Sequence, residues 1–215
     1  MSEAFGLEVS MAYVRALPRY RGRTVTQVDL AREAIRYIQS RGKNMDALSH
    51  ALQLKAEYGN GVSAHCLIYN ASGTRLEEVE RRNWSGSIFK MEPPRSFENG
   101  QWISFLHVKP AVLPQGSIGA VVYRGTGING LARDFLVAWN CPWSGSQNSV
   151  LTEVRAPGYF SSRWNSIYTA LRSSEKMSRF TSAGNFESSM TIGGVTSPEY
   201  IAVLQHKFQP LPEEL

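Results

Sequence analysis

Apolar and polar positions follow one pattern before about residue 60 and another after it. Between residues 26 and 58 apolar side chains recur at helical spacing. From Val62 onward they fall in short β-branched and aromatic runs separated by Gly, Pro, Asn and Ser. In the first part Val28, Ala31, Ile35 and Ile38 share one face, with Arg32, Glu33, Arg36 and Gln39 opposite. This predicts a helix capped by Thr24 or Thr26, running to about residue 41 and stopped at Gly42. Asn44 is placed to cap a second helix carrying Leu48, Ala51, Leu52 and Tyr58, and Gly59-Asn60-Gly61 ends it. The expected unit over 26–59 is a helical hairpin.

The later runs, at 62–69, 75–81, 102–108, 118–124, 134–139 and 150–155, have the length and spacing of strands in a sandwich. Asn70-Ala71-Ser72-Gly73 supplies the first turn. A helix is expected over 162–171, and runs at 186–192 and 200–208 read as the final strands. Residues 1–25 show no sustained period and read as a flexible arm, and residues 209–215, with two prolines, as a tail. The resulting expectation is a mainly β chain, with a sandwich over 60–208, an N-terminal helical hairpin and one helix between late strands.

Composition adds one main globular domain: 215 residues, 42% hydrophobic and 19% charged, with 18 glycines for turns. The net charge of +5 is not gathered into a dense basic stripe, so nucleic acid is not an expected partner. The closest approach to such a stripe is Arg15, Arg19, Arg21 and Arg23, interleaved with Tyr13 and Tyr20, which reads as a solvated arm; an anionic lipid or nucleic-acid contact is the alternative. No secretory signal pattern opens the chain and no run of about 18 apolar residues occurs, so a soluble, cytoplasmic protein without a transmembrane segment is expected. There Cys66 and Cys141 would be free thiols, and the sequons at Asn70 and Asn83 would carry no glycan.

Catalytic chemistry finds little support. His50, His65, His107 and His206 form no metal-ligand spacing, and Cys66 beside His65 in one strand points to the opposite face. No Gly-x-Ser-x-Gly elbow is present, and Glu77, Glu78 and Glu80 lie in an exposed-looking charged strand without a marked partner. The stretch 125–130 matches a dinucleotide fingerprint by letter, but a strand follows it where a helix is required, and no acid comes about 20 residues later to bind a ribose. Neither an enzyme nor a cofactor is expected. More informative are aromatic residues in polar turns: Trp84 within Asn83-Trp84-Ser85-Gly86, Trp143 after Asn140-Cys141-Pro142, and Trp164 with Tyr168 at i, i+4 on a helix. Such rings can lie against a sugar, a choline or a membrane interface, whereas Trp102 and Trp139, inside strands, read as caps on the core.

Ala56-Glu57-Tyr58-Gly59-Asn60-Gly61-Val62, Cys66-Leu67-Ile68-Tyr69-Asn70-Ala71-Ser72-Gly73, Gly100-Gln101-Trp102 and Ala120-Val121-Val122-Tyr123-Arg124-Gly125 together resemble the plant 23 kDa jasmonate-induced protein family over roughly residues 25–208. More distantly, residues 119–143 and Arg163-Trp164-Asn165-Ser166-Ile167-Tyr168 resemble actinoporin-like cytolysins, and Cys141-Pro142-Trp143 the aegerolysins. The second likeness implies a sandwich that binds a phosphocholine or sphingolipid headgroup in an aromatic cup. In it Ser85, Val122, Pro142 and Tyr168 keep the residue type and Trp164 exchanges one aromatic for another. Asn140 stands where a serine is usual, Thr169 replaces a tyrosine, and the loop 144–149 lacks the aromatic cluster that anchors a cytolysin. The first predicted helix, about 15 residues, spans only ~22 Å against a ~30 Å hydrocarbon core, so pore formation is not expected. The expected function is thus a stress or defence protein binding a membrane lipid headgroup or glycan peripherally through Ser85, Val122, Asn140, Pro142, Trp143, Trp164 and Tyr168. A regulatory protein–protein contact through the helical hairpin is the alternative, and no oligomeric state is implied.

Overall fold

A computed structural model describes residues 3–127, 130–144 and 146–208. Two β-sheets face one another. The first, of six strands, has the order β3 (Ser87–Ile88), β5 (Trp102–Val108), β1 (Ser63–Ala71), β11 (Glu199–His206), β10 (Phe186–Ile192) and β9 (Ser178–Ala183). The second has the order β4 (Ser96–Phe97), β2 (Leu76–Ser85), β6 (Ser117–Thr126), β7 (Ala132–Cys141) and β8 (Ser149–Arg155). Strand alternation sends Ala64, Cys66 and Ile68 of β1, Val121 and Tyr123 of β6, and Val137 and Trp139 of β7 into the core between the sheets. Phe97, Phe105, Phe135 and Tyr200 lie in the same core.

The outer faces are covered as well, which explains strands buried at every position, such as β1 and β5. Helices α1 (Met11–Ala16), α2 (Gln27–Arg36) and α3 (Lys43–Tyr58) lie on the six-stranded sheet. There Val14, Leu30, Ala34 and Ala47 pack with Leu67, Tyr69 and Trp102. Helix α4 (Trp164–Ser173) lies on the five-stranded sheet, where Phe160, Trp164, Ile167 and Leu171 pack with Ile118, Ala120, Val122, Leu136 and Ala138. The layers therefore run helix, sheet, sheet, helix.

Most expected elements occur, with informative differences. Thr26 caps α2 and forms a reciprocal capping box with Asp29. The helix stops at Arg36, and the chain turns through Arg41 at φ 56° before α3 begins at Lys43, with Gly42 rather than Asn44 preceding it. Residues 3–25 are not a flexible arm. Phe5 pairs with Trp102 as an antiparallel bridge, Val9, Val14, Tyr20 and Val25 are buried, and Arg19 and Tyr20 both bond the fully buried Glu33 carboxylate. Arg15, Arg21 and Arg23 are solvated as expected. The expected tail 209–215 lies outside the described residues. Strands β3, β4 and β9 have no hydrophobic period long enough to read; β9 alternates exposed and half-exposed residues throughout. The last strand does not close an edge. Strand β11 enters the middle of its sheet, parallel to β1 and antiparallel to β10.

Candidate functional site

The cleft forms where β2 ends, β6 begins and β7 ends, and α4 supplies its remaining wall. Trp84 and Ser85 come from the last residues of β2, and Pro114-Gln115-Gly116 from the approach to β6. Asn140, Pro142 and Trp143 come from the exit of β7, and Tyr168 and Arg172 from one face of α4. The cleft has a volume of about 560 Å³. Glycine is required where these loops meet. A Cβ on Gly116 would sit 2.1 Å from the Cys141 carbonyl oxygen, and one on Gly86, at φ +94°, would sit 1.9 Å from that of Val108.

The polar groups of the cleft are tied to the scaffold. The Ser85 hydroxyl donates to the Gly116 carbonyl at 2.7 Å, which fastens β2 to the loop before β6. Ser149 Oγ donates to the Leu171 carbonyl at 2.9 Å and therefore accepts from Asn140 Nδ2 at 3.3 Å. That bond chain sets the orientation of the Asn140 amide and leaves its Oδ1 without a hydrogen-bond partner among the described residues. The approach to α4 is anchored by Asp134, whose carboxylate accepts from Arg124 at 2.7 and 2.9 Å and from the Gly158 amide at 2.7 Å.

Aromatic rings form two sides. Trp84 lies 5.3 Å from Tyr168 and 5.9 Å from Trp164, ring centre to ring centre. Trp143 is 47% exposed, and the Lys109 ammonium lies over it at 5.2 Å. The Arg172 guanidinium lies over Tyr168 at 5.6 Å and also donates to its hydroxyl at 3.2 Å.

Five of the expected residues, Ser85, Asn140, Pro142, Trp143 and Tyr168, therefore meet around one opening. Val122 and Trp164 do not. Val122 is fully buried under α4, and Trp164 faces the same cluster with its indole N–H donating to Glu80 at 3.2 Å. The period-2 pattern shows that Val122 shares a face with Ala120 but not that a helix covers that face. Thr169 bonds its own helix, donating to the Asn165 carbonyl at 3.0 Å, and is not part of the lining. Sequence reasoning missed Gln115, Gly116 and Arg172. Arg172 was accessible to it, four residues after Tyr168 on a helix.

The other chemically suggestive residues are structural. Burial lowers the pKa of all four histidines, that of His107 to about 3, and pushes both cysteine thiols up. His107 Nδ1 meets Ser117 Oγ at 2.8 Å and its ring packs edge-on to Trp139. Asn70 is fully buried, with its side chain bonded to Thr74, Phe97 and Ser72, which bars a glycan from the folded chain at that sequon. Among the described residues, no three His, Cys, Asp or Glu side chains are grouped to hold a metal. A second cavity of about 350 Å³ lies on the helical side, between the N-terminal segment, Tyr37 and Lys43.

Comparison with known proteins places these features in a lineage. A family described as Nakanori-like protein matches residues 5–207. The 23 kDa jasmonate-induced protein of Hordeum vulgare is 35% identical over 199 residues, covering 91% of this chain and 94% of that protein. A jasmonate-induced protein homolog of Atriplex canescens is 31% identical over 140 residues, covering 63% and 73% respectively. Among solved structures, the crystal structure of the lipid binding protein Nakanori superposes with a TM-score of 0.87 at 27% identity, covering 95% of this chain and 100% of that one. The expected jasmonate-induced likeness and the two-sheet fold with helices at the N-terminus and between late strands are both found.

Proposed function

Because the chain belongs to the Nakanori-like protein family, we propose that it is a non-enzymatic, jasmonate-induced-type protein that binds a membrane lipid headgroup or a glycan. The site is the cleft of Ser85, Asn140, Pro142, Trp143 and Tyr168, and attachment to a bilayer is peripheral. The observation that carries the reading is the convergence of Trp84, Trp143 and Tyr168 with fixed amide and hydroxyl groups on one opening of small-molecule size. The lipid binding named for Nakanori supports a lipid over a purely soluble ligand.

The contact takes place at a surface. Among the described residues no helix is long and apolar enough to cross a membrane, and the ten residues of α2 span about 15 Å. The apolar side of the helical layer is packed on the six-stranded sheet, which removes much of the face that a protein partner would use. A cytoplasmic location, where both buried thiols stay reduced, fits this proposal.

Tryptophan emission tests it. Trp102, Trp139 and Trp164 are buried, so any change when a ligand covers the cleft should come from its two tryptophans, Trp143, which is the more exposed, and half-buried Trp84. Titration with vesicles of varied headgroup is expected to shift emission to the blue, and Trp143→Ala to remove most of the shift, leaving the part due to Trp84, without lowering the melting temperature. No shift with any lipid or glycan, in either protein, would refute the binding site.

A further inference from the structure

We propose that the cleft recognises the phosphate ester of a ring polyol and disfavours phosphocholine. This inference rests on the reading of the cleft as a headgroup site and adds the ligand's charge and shape.

The argument starts from what already occupies the rings. An aromatic cup for a quaternary ammonium offers electron-rich faces with no other cation beside them. Here the Lys109 ammonium lies over Trp143 at 5.2 Å and the Arg172 guanidinium over Tyr168 at 5.6 Å. Behind the wall, Arg82 lies over Trp164 at 5.5 Å. A choline brought to Trp143 or Tyr168 would meet a like charge held in place, and the described lining contains no carboxylate to compensate.

The same arrangement suits an anion. Lys109 donates to the carbonyls of Pro110, Ala111 and Leu113, which fixes it in the loop leading to the cleft wall. Arg172 is exposed, and among the described residues it makes no ion pair; the hydrogen bond to Tyr168 engages one of its donors. The remaining fork can take a phosphate in two-point contact.

Polyol character follows from the uncharged lining. Ser85, Gln115, Asn140, Ser144 and Ser146 line the cleft with hydroxyl and amide groups, and Trp84 and Trp143 add flat apolar faces. Alternating hydroxyls and C–H faces on a ring match such a surface, whereas three methyl groups on nitrogen satisfy none of its hydrogen bonds. The shared chemistry is an inositol- or sugar-phosphate, borne on a lipid or free in solution.

The test compares vesicles of phosphatidylcholine alone, phosphatidylcholine with phosphatidylinositol, and phosphatidylcholine with an equal fraction of phosphatidylserine, alongside calorimetric titration with soluble myo-inositol 1-phosphate. Phosphatidylinositol vesicles are expected to bind about tenfold or more tightly than the other two, and Arg172→Gln, with an unchanged melting temperature, to lose about tenfold. Binding of myo-inositol 1-phosphate that Arg172→Gln weakens, without vesicle binding, would support the same chemistry in its free form. Equal binding to phosphatidylserine and phosphatidylinositol would overturn the polyol, leaving bare charge. Phosphatidylcholine binding that Trp143→Ala abolishes and Arg172→Gln leaves intact or improves would overturn this inference and preserve the headgroup site. Silence in every arm would overturn this inference, and the headgroup site falls with it only if no other lipid or glycan shifts the tryptophan emission.

Discussion

His107 shows at one residue how burial becomes a property of the whole protein. The ring sits between Ser117 and Trp139, and burial lowers its pKa from 6.5 to about 3. The unfolded chain therefore binds a proton between those values that the folded chain refuses, so stability is complete above about pH 6.5 and falls as the pH drops toward 3. At pH 5 the loss from this residue alone is about 2 kcal/mol. His50, His65 and His206 are lowered in the same direction. Urea unfolding at pH 7.5 and pH 5 should show a lower midpoint in acid; equal midpoints would mean that the ring protonates in place. Single residues were also where the sequence was most readable. Ser85, Asn140, Pro142, Trp143 and Tyr168 are polar or aromatic residues at strand ends and on a helix face, and they line the cleft. Val122 and Trp164 lie one layer beneath, because α4 covers a strand face that alternation alone leaves open.

Among the elements, α2 was legible because an amphipathic pattern and a capping box agree on where it starts. The N-terminal segment was not. Its anchors Val9, Val14, Tyr20 and Val25 are spaced by five or six positions, which fits neither a helix nor a strand, and each fills a site made by other elements. Asn99 is the hub of that attachment. Its amide nitrogen donates to the carbonyls of Val9 at 2.9 Å and Leu30 at 3.1 Å, and its oxygen accepts from the Gly73 amide at 2.9 Å. Asn99→Ala would leave those buried groups unpaired at a cost of about 2–3 kcal/mol. Hydrogen exchange should then speed up across residues 5–20 more than across β6. Uniform acceleration would mean that the segment has no independent opening and is part of the sandwich proper.

At the scale of the molecule, the sequence supplied strands but not their order. Parallel pairing of β1 with β11 joins residues such as Leu67 and Ile201 and has no local signature. Strand β11 contributes to two surfaces: Tyr200, Ala202 and Leu204 face the core, while Ile201 is 38% exposed. Leu204→Ala is expected to cost about 3 kcal/mol and Ile201→Ala less than about 1 kcal/mol in urea titrations, a contrast that an edge strand with one frayed side would not give.

The central position of β11 also bears on how the protein is made. A ribosome delivers β1 and β5 long before it delivers β11, the strand that must lie between β1 and β10, whereas β10 comes just ahead of it. Throughout that interval β1, paired with β5 on one side only, exposes an unpaired backbone edge flanking apolar side chains, a template on which nascent copies could pair with one another. Synthesis under stress would therefore draw on chaperones in proportion to expression. A message cut short before residue 199 would yield two unjoined halves of a sheet, material for degradation and not a weakened binder.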